Sequence, residues 1–283
     1  MKKKTPVAST AKKAAPAPLQ PFDKYLYYLN SVQSPDENMA FLRTIYLDQR
    51  GVVPPGLTLR EDFCGTFANS CSWVKLGPSY VAHGIDLDPE PIAYGREHYL
   101  PELPAEARAR VHITEGDVLE SPLAKCDLAA ALNFSFCFFR ERAVLKRYFT
   151  RVFESLNEGG VFVLDVMGGP FYQETNEHEL ELDEPTPFSY FLEQESFDPI
   201  TCEARFHIHF KRKGEPKRKK VFSYTFRMWA LPELRDLLLE CGFKSVDCYW
   251  EGTLDDGEGN GIWSRMKHGE DCDSWLAYLA ATR

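Results

Sequence analysis

Apolar positions along this chain switch between helical and strand spacing in a regular order. Residues 22–31 are aromatic-rich and read as a short helix. Residues 35–49 put Met39, Leu42, Ile45 and Tyr46 on one helical face. Ser34 as cap, Pro35 at the first helical position and Glu37 completing a capping box predict where that helix starts, and Gly51 where it ends. From residue 57 strands and helices alternate. LTLRED, SYVAHGID, RVHITEGD, CDLAAALNF and VFVLDV read as strands. FANSCSWVKL, a segment opened by Asp88-Pro89 and running to about Tyr99, and ERAVLKRYFTRVFESL, closed by Gly159-Gly160, read as helices. This alternation predicts an α/β fold, a mostly parallel sheet with helices on both faces, in which the almost wholly apolar fourth and fifth strands are central.

Residues 171–228 break the rhythm. An acidic segment, ETNEHELELDE, precedes three β-rich runs separated by Asp-Pro and Lys-Gly-Glu-Pro turns, which predicts an antiparallel β insertion. The helix LPELRDLLLECG and the strands KSVDCYWEG and WLAYLAATR then resume the first pattern. The expected organisation is a basic disordered tail (1–20), N-terminal helices (21–56), a core (57–170), the insertion (171–228) and a completing segment (229–283).

Composition adds limits. At 283 residues and 44% hydrophobic, the chain can bury a substantial core. No apolar run approaches a membrane span, and the start lacks the apolar stretch of a secretory signal. The eight cysteines form no CxxC pair and sit among apolar neighbours, which fits a reduced, cytoplasmic protein without a disulfide framework or metal site. The first twenty residues carry five lysines and no acid, so the remaining 28 basic and 42 acidic side chains leave an acidic body. Such a body disfavours general nucleic-acid binding.

Candidate chemistry gathers at the strand ends, where ligands sit in open α/β sheets. The first strand runs into Glu61-Asp62-Phe63-Cys64-Gly65-Thr66-Phe67. Gly65 permits a tight turn and close backbone approach to a ligand. Asp86, in Gly84-Ile85-Asp86-Leu87, lies 25 residues after Glu61 and is placed to accept two ribose hydroxyls. Asp117, before Val118, can accept from an adenine amino group. Asn133 and Phe134 close the fourth strand. The bland alternatives are a helix cap at Asp88, a turn at Asp117 and a loop glycine at Gly65.

Taken in order, E-D-F-C-G-T-F, G-I-D-L-D-P, E-G-D-V and W-A-L-P-E-L-R-D-L-L-L-E-C-G-F resemble the class I S-adenosylmethionine-dependent methyltransferases, over residues 57–170 and 228–283. Phe63 and Phe67 stand where that family's glycine-rich motif has its outer glycines. The resemblance implies a Rossmann-like sheet of seven strands, the last antiparallel, and S-adenosylmethionine as cofactor, held by Glu61, Phe63, Cys64, Gly65, Thr66, Asp86, Leu87, Asp117, Val118, Asn133 and Phe134. It implies methyl transfer by in-line displacement, here to a small-molecule acceptor, with RNA, protein or no acceptor as the alternatives. A single glycine suits NAD poorly, since a dinucleotide fold uses G-x-G-x-x-G to seat its pyrophosphate.

No catalytic residue is legible. Asn133-Phe134-Ser135-Phe136 resembles N-P-P-[YF] of amino-group methyltransferases only loosely, without the prolines, and reads first as aromatic packing. His207 and His209 share one strand face, read first as solvent-facing and second as a base or anion site. Tyr25, Tyr28, Arg227 and Trp229 are candidates for the site or for packing. Residues 211–220 form a basic hairpin tip, and 255–261 (DDGEGNG) a mobile loop without calcium-ligand spacing.

Overall fold

The computed structural model describes residues 21–254 and 259–283. The chain opens with α1 (Lys24–Val32) and α2 (Pro35–Arg50), then passes through β1 (Thr58–Asp62), α3 (Ala68–Trp73), β2 (Val81–Asp86), α4 (Pro89–His98), the short α5 (Ala105–Arg108), β3 (Val111–Glu115) and β4 (Cys126–Ala131). It continues through α6 (Arg142–Ser155), β5 (Leu156–Gly168) and four strands, β6 (Asn176–Leu182), β7 (Phe188–Asp198), β8 (Glu203–Arg212) and β9 (Arg218–Arg227). It ends with α7 (Leu231–Glu240), β10 (Ser245–Thr253), β11 (Gly259–Met266) and β12 (Trp275–Thr282).

The larger sheet has the order β11-β10-β12-β5-β4-β1-β2-β3. Pairing is parallel from β5 to β3, and β12 runs antiparallel to both β5 and β10. The seven strands read from the sequence are present, and β11 adds an eighth at the edge. Along β5, Val161 and Val163 enter a cluster with Met39, Leu42 and Ile45 of α2, while Phe162 and Leu164 enter another with Leu145, Phe149 and Val152 of α6. Alternation therefore buries both faces, at about 1.5–3 kcal/mol per large apolar side chain. Strand order reverses between β1 and β4, so their carboxyl ends frame a crevice.

The second sheet, β6-β7-β8-β9, is antiparallel throughout. The acidic segment is itself β6, an edge strand that the sequence reading missed. Three further differences have local causes. Ser34 makes no side-chain cap bond, so the capping box with Glu37 does not form, although Gly51 ends α2 at φ 72°. Helix α6 stops at Ser155, and Gly159-Gly160 lie instead in an irregular entry to β5, between the pairs Cys126–Leu156 and Leu128–Val161. Gly259–Gly261 open β11 rather than a loop, while 255–258 and the tail 1–20 lie outside the described residues.

Candidate functional site

The loop after β1 begins this site. Phe63, Gly65 and Phe67 all adopt left-handed backbone (φ 59°, 51° and 49°). The conformation expected of three glycines is kept while two are phenylalanines, each at a cost of about 1–2 kcal/mol. Packing offsets that cost. Phe67 is fully buried, and Gly95 of α4 lets it approach: a Cβ there would lie 2.1 Å from the Thr66 carbonyl and 2.5 Å from the Phe67 ring. Phe63 packs on Phe139 and Tyr148.

A buried network sits under the loop. The Arg60 guanidinium donates to both oxygens of Asp62 at 2.7 and 3.0 Å, and the Tyr148 hydroxyl donates to Asp62 Oδ2 at 2.8 Å. Glu61 accepts from Asn69 Nδ2 (2.9 Å), Ser70 N (3.1 Å) and Ser70 Oγ (2.6 Å). Burial lifts its carboxyl to about 7 against the lowering pull of those donors. Glu61 thus anchors α3 beneath the loop and is off the cavity wall, unlike the other ten residues singled out in the sequence.

Those ten line one cavity of about 790 Å³, within the usual range for small-ligand sites. On its floor, Asp86 Oδ2 accepts the Gly65 N–H at 2.7 Å and Oδ1 accepts the Asp88 N–H at 2.9 Å. Burial raises the Asp86 pKa, the largest of several opposed effects. Asp88 also caps α4 through Glu90 N. Asp117 Oδ1 accepts from Leu119 N at 2.8 Å. A Cβ on Gly65 would meet no protein atom within 4 Å. Leu87 is 69% exposed, a large apolar surface left at the cavity wall.

Asn133 and Phe134 are also left-handed, both at φ 57°. Their consecutive N–H groups are held at 2.7 and 2.8 Å by the two oxygens of Asp165, at the end of β5. Burial pushes the Asp165 carboxyl up to about 7.

The roof is aromatic. It comprises Tyr25 and Tyr28 of α1, Tyr190 of β7, and Phe222, Tyr224 and Phe226 of β9 among its members. Asp23 fixes α1 by accepting from Tyr25 N, Leu26 N and the Tyr94 hydroxyl, and Lys24 pairs with Glu90 at 2.6 Å.

No protein-family model and no curated protein matches the chain in sequence. Solved structures do match. CalS10, an amino pentose methyltransferase from Micromonospora echinaspora solved with S-adenosylmethionine bound, shares 18% identity with 94% of this chain and 99% of its own covered, at a TM-score of 0.66. The sugar N-methyltransferase KedS8 from Streptoalloteichus sp. ATCC 53650 shares 16%, covers 98% of each chain and reaches 0.62. DesVI of Streptomyces venezuelae shares 13%, covers 91% and 95%, and reaches 0.64. The fold is that of the class I S-adenosylmethionine-dependent methyltransferases.

On this methyltransferase fold, several side chains lie away from the cavity. Phe206 and Ile208 point into it, whereas His207 and His209 occupy the opposite face of β8. Contrary to a solvent-facing reading, both histidines are buried, beneath Glu177, Glu193, Glu195 and Lys217. His209 Nδ1 accepts the Lys220 N–H, so Nε2 carries the proton that is donated to Glu193 at 2.7 Å. That tautomer does not offer a lone pair to a cation between Glu177 and Glu193, whose ligand atoms lie within 4.8 Å of one another with His209. Arg227 stacks on Trp229 at 3.7 Å and pairs with Glu233, closing the join between the sheets. In the basic hairpin, Glu215 pairs with Arg212 and Arg218, Lys217 with Glu177, and Lys220 with Glu195.

Asp165 and the roof tyrosines of β7 and β9 were missed from the sequence. The period-two spacing of Tyr190 with Leu192, and of Phe222 with Tyr224 and Phe226, signals an apolar face, but not what it covers.

Proposed function

We propose that the chain is a cytoplasmic S-adenosylmethionine-dependent methyltransferase acting on a small molecule, with residues 171–228 covering the acceptor. The carrying observation is one continuous cavity from the Gly65–Asp86 floor to the aromatic roof. The floor suits the cofactor. Asp86 is placed for the ribose hydroxyls, Leu87 and Val118 offer apolar faces to a flat base, and Asp117 accepts from an amino edge. The open space over Gly65 lets backbone approach the ligand.

When bound, S-adenosylmethionine supplies a methyl group on a sulfonium that departs as a neutral thioether. The protein's task is alignment and water exclusion. Asp165 holds the Asn133-Phe134 backbone against the cavity, and α1 with the second sheet closes its top. Small acceptors are favoured because the roof is apolar and four of the basic hairpin's side chains are paired with Glu177, Glu195 and Glu215. The matched structures include an amino pentose methyltransferase, a sugar N-methyltransferase and a glycopeptide N-methyltransferase, which supports an acceptor that is neither RNA nor a membrane component.

Incubation with methyl-labelled S-adenosylmethionine and cell extract, followed by separation of small molecules, RNA and protein, tests this. Label in the small-molecule fraction is expected. Label confined to RNA or protein would overturn the acceptor class, and saturable binding without any label would indicate a non-catalytic binding protein.

A further inference from the structure

We propose that the roof is a binding site for an apolar amine, methylated at nitrogen without a base from the protein. This rests on the methyltransferase reading and adds the acceptor's chemistry.

Charge is the first argument. Among the described residues, the cavity wall carries no lysine, arginine or histidine, and its ionisable acids are Asp86, Asp88 and Asp117 on the floor. A carboxylate or phosphate acceptor would meet no cationic side chain there, in a cavity whose charged groups are acids. An amine meets rings instead, whose faces stabilise the positive charge that grows on nitrogen as the methyl group transfers, while their area covers an apolar body.

Proton chemistry is the second argument. The roof's candidates for a base are phenols, and burial drives those of Tyr28, Tyr190 and Tyr224 further above their ordinary value. They stay protonated near neutral pH and act as donors. An alcohol acceptor would need its proton removed in the transition state. An amine that has lost its proton to water before binding already presents a lone pair. That pair forms the new N–C bond as the methyl carbon's bond to sulfur breaks and its electrons stay on sulfur. The products are S-adenosylhomocysteine and a methylated ammonium, which gives its proton to water on release.

Hydrogen-bond capacity is the third. The Tyr28 and Tyr224 phenols lie against each other, and their neighbours Leu192, Phe206, Ile208, Phe222 and Phe226 offer no polar side-chain atom. Beyond the phenols and Gln33 the roof is rings and aliphatic side chains, so a polyhydroxylated amine would bury more hydroxyls than it could pair, and each one left unpaired would weaken binding by about tenfold. The favoured body is therefore a hydrocarbon or an aromatic ring.

Thermal unfolding of the full chain tests the assignment, first with S-adenosylhomocysteine alone and then with 2-phenylethylamine, phenylacetate or glucosamine added. The amine is expected to raise Tm beyond the nucleoside, and the other two to add nothing. Tyr190→Leu is expected to keep the S-adenosylhomocysteine shift and lose the amine increment. With S-adenosylmethionine, N-methyl product is expected at least about tenfold faster than any product from 2-phenylethanol. An equal or larger shift from phenylacetate or glucosamine, or none from the amine, overturns the acceptor assignment. If S-adenosylhomocysteine itself gives no shift, the methyltransferase reading fails instead.

Discussion

Asp86 Oδ2 accepts the Gly65 backbone N–H at 2.7 Å, joining the tip of β2 to the loop that follows β1. The bond ties together two residues of the cavity floor, in a loop with three left-handed residues, two of them phenylalanines. Loop shape here comes from packing and buried charge rather than from glycine.

Phe67→Gly separates these effects. Glycine relieves about 1–2 kcal/mol of left-handed strain, but removing a fully buried phenylalanine costs about 3–5 kcal/mol. Packing wins, so a net loss of roughly 1–4 kcal/mol is expected in urea unfolding. A variant more stable than the parent would show that Phe67 is tolerated rather than required.

Arg60 and Asp62 are 1% and 0% exposed. Asp62→Ala strands the guanidinium and is expected to cost about 3–5 kcal/mol. The double variant Arg60→Met/Asp62→Ala, which leaves no lone charge, is expected to recover much of that loss. Denaturant titrations of both single variants and the double variant give the coupling directly. Additive losses would mean that the two side chains act independently.

Burial lifts Asp165 from an ordinary 3.8 to about 7, opposed by the Phe134 and Asn133 N–H groups. A carboxyl with a raised folded-state pKa holds its proton more tightly when folded. The contribution of Asp165 to stability is therefore greatest below about pH 4, is lost as pH rises towards about 7 and levels off above. Tyr28, Cys137 and Tyr278 feel its charge and are themselves neutral there. Asp165→Asn is expected to flatten the stability profile in part between about pH 4 and 7, where Glu61, raised to about 7, and Asp86, also raised by burial, contribute with the same sign. An unchanged slope in urea unfolding would place the titration elsewhere.

The legible features are local ones. Helix α2 shows its buried face at helical spacing, Asp88 its cap, and the strand ends their acids in order, because each depends on residues a few positions apart. What escaped depends on distant partners. Asp165 reads as one polar residue in an apolar strand, yet it serves amides 31 and 32 residues earlier. Strand β6 has acids at 177, 179 and 181, and one of them finds its cation in Lys217 across the second sheet. Glu61 fits the motif by position, but the side chain turns to Asn69 and Ser70, a choice of rotamer that no spacing reveals.

Calorimetric titration with S-adenosylmethionine tests the cofactor site most directly, with the full chain and with Asp86→Ala. Saturable one-to-one binding is expected for the parent. The variant removes the carboxylate placed for the ribose and frees the Gly65 loop, so its affinity is expected to fall by at least about a hundredfold, since hydrogen bonds to a charged group contribute about 1.5–3 kcal/mol and two are lost. No saturable binding to the parent, or equal affinity in the two proteins, would contradict a cofactor seated between Gly65 and Asp86.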